Sequence, residues 1–262
     1  MITLNSDAAS TSLSKTTKAI LNEYGIKLNK NLGQNYLIDR NKRDQIIQFG
    51  NLTKDDVVLE IGPGIGTLTI ELAKRVKKVI AIEQDSNICQ ILENRLKKEN
   101  IDNVELINDD ALNVEFPKFD KIISNLPYQI SSPITFKFLN YDFQLAILMY
   151  QKEFASRMNG KVGSKDYSRL SAMLYFKCDV DLLTGVSAES FIPKPKVDST
   201  VVRLTPKLPE LNGQLKHLNI NEINEKDFTI IRLSVRLLGV VCPATDKGCM
   251  CRKQYYLWYR II

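Results

Sequence analysis

The tetrapeptide Asn125-Leu126-Pro127-Tyr128 combines three chemical groups that act together on a flat ligand. It directly follows residues 121–124 (KIIS), an apolar run typical of a buried β-strand. The Asn125 amide oxygen and the Leu126 carbonyl are two acceptors for one exocyclic amino group, and the Tyr128 ring is a stacking face for the base that carries it. The spacing therefore predicts a site that holds a nucleobase amine and exposes its nitrogen to an electrophile.

A glycine-rich loop lies upstream, where the β-branched run of residues 57–61 leads into Gly62, Gly64 and a third glycine. Strand, glycine turn and helix in that order are typical of a nucleotide-type site, because glycine lets the backbone approach a ligand closely. The spacing is G-x-G-x-G rather than the dinucleotide G-x-G-x-x-G, and no Lys-Ser/Thr pair follows, which excludes a P-loop. A second strand, residues 79–82, ends at Glu83, where a carboxylate binds ribose hydroxyls. The pattern favours S-adenosylmethionine over NAD or ATP.

The strands that carry these residues are expected to bring them to one edge of a sheet. A third strand, residues 104–107, leads to Asp110, which is placed to reach the adenine amino group of a cofactor, and a fourth strand delivers Asn125. Ligands of open α/β sheets bind outside the carboxyl ends of the strands. We therefore expect Gly62, Glu83, Asp110 and Asn125 to converge.

Four segments occur together in the order that is found in one known family: residues 31–39 (NLGQNYLID), 60–66 (EIGPGIG), 125–133 (NLPYQISSP) and 191–199 (FIPKPKVDS). On these motifs, residues 15–207 resemble the KsgA-type ribosomal RNA small-subunit adenine N6,N6-dimethyltransferases. The resemblance implies that the cofactor S-adenosylmethionine is bound by Asn35, Leu37, Gly62, Gly64, Glu83, Asp110 and Asn125. It also implies that Phe191 closes the stacking face opposite Tyr128, although a phenylalanine before a proline turn also packs in cores.

The activity that the resemblance implies is dimethylation of adjacent adenosines near the 3′ end of small-subunit (16S-type) rRNA during ribosome assembly. A paired base does not reach such a site, so the target adenine is expected to be unpaired or flipped out. Two alternatives stay open: an Erm-type enzyme that methylates adenine in large-subunit rRNA, and a non-catalytic RNA-binding assembly factor. The intact Glu83, Asp110 and Asn125-Leu126-Pro127-Tyr128 favour an enzyme.

The domain prediction has three parts: a mobile arm (residues 1–14), a Rossmann-like α/β methyltransferase domain (15–207) and a small, mainly helical C-terminal region (208–262). The last region is expected to help bind RNA, but its end departs from the family pattern. Cys242, Cys249 and Cys251 crowd together there without a known zinc-ligand spacing, so we predict no metal site.

Composition agrees with a nucleic-acid partner without identifying one. The chain has 36 Lys and Arg against 30 Asp and Glu, a formal charge of +6, and basic residues recur on both sides of the predicted site. Residues 1–14 have no apolar signal-peptide core, and no run of eighteen apolar residues predicts a membrane span. We expect a cytoplasmic, monomeric protein with reduced cysteines.

Overall fold

The computed structural model describes residues 12–26 and 34–207 of the 262-residue chain. The chain divides into two units, Met1–Leu211 and Asn212–Ile262, and every described residue belongs to the first. The predicted C-terminal region (208–262), with its three cysteines, therefore lies outside the described residues. Residues 1–11 of the predicted arm lie outside them as well.

The described residues contain strands and helices that alternate through most of the chain. The strands are β1 (Tyr36–Leu37), β2 (Val57–Ile61), β3 (Lys78–Glu83), β4 (Val104–Asn108), β5 (Lys121–Asn125), β6 (Leu145–Gln151), β7 (Cys178–Val186), β8 (Phe191–Ile192) and β9 (Ser199–Pro206). The helices are α1 (Leu13–Glu23), α2 (Arg40–Phe49), α3 (Thr69–Ala73), α4 (Ser86–Lys98), α5 (Ser131–Phe138), α6 (Lys152–Met158) and α7 (Arg169–Lys177).

Seven of these strands form one sheet in the order β4-β3-β2-β5-β6-β9-β7. Strands β2 to β6 pair in parallel, whereas β9 pairs antiparallel with both β6 and β7. This largely parallel sheet confirms the predicted Rossmann-like fold. The strand order reverses between β2 and β5, which is the kind of point where α/β sheets bind ligands.

Alternating side chains of the central strands pack into two hydrophobic clusters on opposite faces of the sheet. In β3, for example, Ile80 and Ile82 belong to one cluster, whereas Val79 and Ala81 belong to the other. Successive strand residues point to opposite faces, and parallel sheets are covered on both. This double burial is why the strands read as continuous apolar runs in the sequence.

The N-terminal part differs from the prediction at its boundary. Helix α1 begins at Leu13, inside the predicted arm of residues 1–14, because the Ser12 side chain accepts a hydrogen bond from the Lys15 backbone N–H and caps the helix. Strands β1 and β8 form a small antiparallel sheet that joins two distant motifs. Among the described residues, no helix is both long and apolar enough to cross a membrane.

Candidate active site

A cavity of about 290 Å³ opens at the carboxyl ends of the parallel strands. Its wall contains every predicted site residue except Phe191, namely Asn35, Leu37, Gly62, Gly64, Glu83, Asp110, Asn125, Leu126, Pro127 and Tyr128. The sheet therefore brings together residues that are scattered through the sequence, as expected for residues that follow the carboxyl ends of its strands. Small-molecule sites typically occupy about 300–1,000 Å³, so this cavity is at the small end of that range.

The segment before β1 holds the amide of Asn125 in one orientation. The Asn125 Nδ2 donates to the Asn35 carbonyl at 3.1 Å, so the amide oxygen remains to accept a hydrogen bond from a ligand. The same segment is tied to the start of α4 by Gln34, whose Nε2 donates to Asp85 Oδ2 at 3.1 Å. Leu37 is 1% exposed and packs into the core beside this wall.

The glycine loop and Glu83 form the next part of the wall. Gly62 and Gly64 have φ values of +67° and +54°, a region that side chains with a Cβ rarely adopt. The Glu83 carboxylate accepts from the Gly64 backbone N–H at 3.2 Å and from the Asp85 backbone N–H at 3.0 Å. Burial raises the pKa of Glu83, and these two backbone donors oppose the rise. The acid that is predicted to bind ribose thus also shapes the glycine loop.

Asp110 lies at the start of a turn that Lys137 ties to helix α5. The Asp110 carboxylate accepts from the Leu112 backbone N–H at 2.9 Å. Lys137 Nζ donates to the carbonyls of Ala111, at 2.8 Å, and of Val114. Because α5 directly follows the Asn125–Tyr128 motif, this lysine links the Asp110 turn to that motif.

The Asn125–Tyr128 motif itself leaves the sheet at the end of β5. Ser124 Oγ donates to the Ile61 carbonyl at 2.6 Å and so ties β5 to the end of β2. After Pro127 the chain forms a short 3-10 turn, Tyr128–Ile130. The Tyr128 hydroxyl lies 2.5 Å from Ser199 Oγ, and burial raises the pKa of this tyrosine. The ring is therefore held at its far end as well as by the backbone.

The structure does not bring Phe191 to the cavity. Its side chain is 2% exposed and packs in the core with Leu37, Met149 and Val201. In β8 it pairs with Leu37 of β1, and this pairing turns its ring into the interior. The geometry thus shows the packing alternative for Phe191, and the predicted stacking role has no support from it.

Glu60 is a cavity residue that sequence reasoning missed. It is 2% exposed and belongs to the cavity wall, and its Oε2 has no hydrogen-bond partner among the residues that the structure describes. Burial raises the pKa of this carboxyl to about 8, and the nearby Glu83 contributes to the rise. The signal in the sequence was a single charged residue within the apolar strand β2. A buried carboxyl group of this kind fits a ligand that brings a positively charged group, because that charge would favour the ionised form.

The donors and acceptors of the wall fit S-adenosylmethionine. Glu60, Glu83 and Asp110 all line the cavity, and their carboxyl groups could accept hydrogen bonds from the ammonium group, the ribose hydroxyls and the adenine amine of such a cofactor. Within residues 12–26 and 34–207, no group of three or more His, Cys, Asp or Glu side chains is placed to hold a metal ion.

Comparison with known proteins supports this chemistry. A "Probable ribosomal RNA small subunit methyltransferase A" of Methanosphaera stadtmanae is 54% identical over 191 residues, which are 73% of this chain and 70% of that protein. Two crystal structures are also similar. A dimethyladenosine transferase from Plasmodium falciparum has 40% identity and a TM-score of 0.65, and the match covers 71% of this chain and 66% of that one.

The second structure, the 23S rRNA methyltransferase ErmE, has 33% identity and a TM-score of 0.60 and covers 66% of this chain and 70% of that one. The family model for ribosomal RNA adenine dimethylases matches residues 25–230, which are most of the sequence and include all four of the motifs described above. The chain belongs to the ribosomal RNA adenine dimethylase family.

Proposed function

We propose that this protein uses S-adenosylmethionine to dimethylate N6 of adjacent adenosines near the 3′ end of small-subunit rRNA during ribosome assembly. The observation that carries the proposal is the position of Asn125. Its amide nitrogen is occupied by the Asn35 carbonyl at 3.1 Å, so the amide oxygen is the acceptor left at the cavity. An acceptor in that place selects an amine as the methyl-accepting group.

When bound, S-adenosylmethionine supplies an electrophilic methyl group. The chain's part is to orient that group, and the proposal gives Glu83 the ribose hydroxyls, Asp110 the adenine amine and Glu60 the ammonium group. The glycine loop and the segment with Asn35 and Leu37 enclose the remainder. Positioning of two reactants contributes on the order of 7–11 kcal/mol to barrier reduction.

The acceptor adenine presents its amino group to Asn125 and to the Leu126 carbonyl. Hydrogen bonds from N6–H to these two oxygens draw the nitrogen toward a tetrahedral shape, and its lone pair is then less delocalised into the ring. The same oxygens stabilise the positive charge that develops on N6 as the new bond forms. No general base is required, because methylated N6 is strongly acidic until it releases its proton to solvent.

Tyr128 stacks on the flipped adenine in this proposal, and such stacking contributes about 1–3 kcal/mol per base. The Tyr128 ring belongs to the cavity wall and is held at its hydroxyl by Ser199. Phe191 has no part in this mechanism, since its ring is in the core. We propose that the enzyme acts as a monomer, where the small subunit assembles.

Methyl transfer from labelled S-adenosylmethionine tests the choice of substrate. Small ribosomal subunits from cells that lack such an enzyme are compared with large subunits and with naked DNA. We expect label in small-subunit RNA, recovered as N6,N6-dimethyladenosine. Label only in large-subunit RNA would instead place the protein with the Erm-type enzymes, in keeping with its likeness to ErmE. Cofactor binding without label in any substrate would favour a binding role.

A further inference from the structure

Ser199 joins two sequence motifs that are far apart in the chain. It is the last residue of the segment 191–199, and its Oγ lies 2.5 Å from the hydroxyl of Tyr128. This distance is at the short end of the usual range for a hydrogen bond between two hydroxyls. Either oxygen can be the donor, and the bond closes a loop between the segment 191–199 and the motif that contains Asn125.

Ser199 lies within the sheet, whereas Tyr128 lies outside it. Ser199 is 1% exposed at the start of β9, where it pairs with Gln151 of β6 on one side and with Val186 of β7 on the other. The preceding Asp198 is also fixed, because its carboxylate accepts from the Ala188 backbone N–H at 2.9 Å. Tyr128 lies on a three-residue 3-10 turn outside the sheet.

The hydrogen bond therefore determines where the aromatic ring points. The Tyr128 side chain has several χ1 rotamers to choose from, and its hydroxyl oxygen lies at the far end of the long axis of the ring. The bond to Ser199 fixes that end of the axis, and with it the position of the ring in the cavity wall. A base that stacks on the ring takes its position from it, and that position decides whether the amino group meets the Asn125 amide oxygen in line with the methyl donor.

We infer that Ser199 is a positioning residue for methyl transfer, which acts by fixing the position of the Tyr128 ring. The inference rests on the proposed function, because it needs a base that stacks on Tyr128. It gives the serine of the segment 191–199 a role in the transfer step rather than in the core. Cofactor binding does not depend on the ring position, because Glu83, Asp110 and the glycine loop lie elsewhere in the wall.

Ser199→Ala keeps the strand and removes the hydroxyl. We expect the kcat for methyl transfer to fall about 10- to 100-fold, since small misplacements of reacting groups have effects of this size. The Kd for S-adenosylmethionine should change by less than about twofold. Ser199→Thr retains a hydroxyl on a residue that suits a strand, and it should recover most of the lost activity.

A double-mutant cycle with Tyr128→Phe separates this role from simple stabilisation. Phenylalanine keeps the stacking face but lacks the hydroxyl, so its kcat should resemble that of Ser199→Ala, and the double variant should be no slower than either single variant. Ser171→Ala is the matched control. Ser171 is 4% exposed, and its hydroxyl donates to the Ser168 carbonyl at 2.9 Å at the start of α7.

Thermal unfolding of all the variants shows whether they fold. If Ser199→Ala does not fold, Ser199→Thr and Tyr128→Phe provide the test. A Tyr128→Phe variant with full kcat would overturn the inference. Losses that multiply in the double variant, or a Ser171→Ala variant that is equally slow, would overturn it too. An inactive wild-type protein would instead refute the proposed function, so the two failures are distinguishable.

Discussion

Glu60 and Glu83 put two carboxyl groups of unusual pKa next to the cavity. Burial raises the pKa of both, and that of Glu60 reaches about 8. Glu83 has backbone donors on both carboxylate oxygens, whereas Glu60 Oε2 has no partner among the residues that the structure describes. These two residues of the same type therefore differ in their surroundings: Glu83 is tied to the glycine loop, and Glu60 keeps an unsatisfied oxygen at the cavity.

Replacing Glu60 by Gln should change the pH dependence of stability. The ordinary glutamate pKa in an unfolded chain is about 4.3, so between there and about pH 8 the folded protein holds one proton more than the unfolded chain. The free energy of unfolding of the ligand-free protein then falls as the pH rises, by up to about 1.4 kcal/mol per pH unit. Urea unfolding at several pH values measures this slope.

The Glu60→Gln variant should lack that contribution and should gain stability relative to wild type as the pH rises from 5 toward about 8. Glu99→Gln is the control, because Glu99 is exposed at the end of α4. If the free energy of unfolding has the same pH dependence in wild type and in Glu60→Gln, the pKa of Glu60 is not raised in the folded protein, and the expectation from its burial is wrong.

Glu83→Ala tests the ribose assignment. Hydrogen bonds to a charged group contribute about 1.5–3 kcal/mol, so the Kd for S-adenosylmethionine should rise about 10- to 150-fold. Part of the effect passes through the glycine loop, since Glu83 accepts from the Gly64 backbone N–H. Isothermal titration measures the Kd. An unchanged Kd in a folded variant would remove Glu83 from the binding site.

At the scale of elements, the glycine loop and the Asn125–Tyr128 motif are in direct contact. A Cβ added to Gly62 would lie 3.0 Å from the Cδ and Cγ atoms of Pro127. That distance is shorter than ordinary van der Waals contact, and the φ of +67° disfavours a side chain in any case. The glycine turn therefore also restricts the start of the Asn125–Tyr128 motif.

Gly62→Ala should lower stability by about 1–3 kcal/mol through backbone strain, and should reduce methyl transfer by displacing Pro127. Gly185→Ala is the matched control, since a Cβ there meets no heavy atom within 4 Å and φ is not positive. Urea unfolding and a methyl-transfer assay measure the two effects. Equal losses of stability in both variants would contradict the assigned strain.

The elements that the sequence predicts best are those whose pattern is local. The apolar runs of β2, β3, β4 and β5 predicted buried parallel strands, and the residues that follow them line the cavity. The role of Phe191 depends on β1 and on residues of β6 and β9, which no local pattern relates to it. Glu60 was missed for a different reason. A strand pattern shows that a position is buried, but it does not show that the position lies next to a cavity.

The start of helix α1 overlaps the end of the predicted arm, residues 1–14. Ser-Thr-rich sequence suggested a mobile arm through residue 14, yet Ser12 caps a helix that begins at Leu13. Serine is typical of both settings. The apolar residues Ile20 and Leu21 stabilise the helix, since they pack against Tyr36, Ile65 and other buried residues.

At the scale of the whole molecule, the sheet positions the cavity, and we propose that residues 208–262 contribute to RNA binding. The family match extends to residue 230, beyond the described residues. We predict that removing residues 208–262 weakens binding to small-subunit RNA more than binding to S-adenosylmethionine. Filter binding and calorimetry give the two affinities. Unaltered RNA binding would show that these residues do not contribute to substrate recognition.

Asn125 is proposed to accept a hydrogen bond from the methyl-accepting amine, and Asn125→Ala removes that acceptor. Asn103→Ala is the matched control, because Asn103 likewise donates to backbone carbonyls, those of Ala73 and Val76, and does not line the cavity. The measurement is methyl transfer to small subunits together with the Kd for S-adenosylmethionine in each variant.

We expect Asn125→Ala to lower kcat about 100- to 1,000-fold, which is the usual effect of removing one hydrogen bond to a developing charge. The Kd should change by less than about fivefold, and Asn103→Ala should keep its activity. A loss of cofactor affinity as large as the loss of activity, or full activity without the Asn125 amide, would contradict the claim.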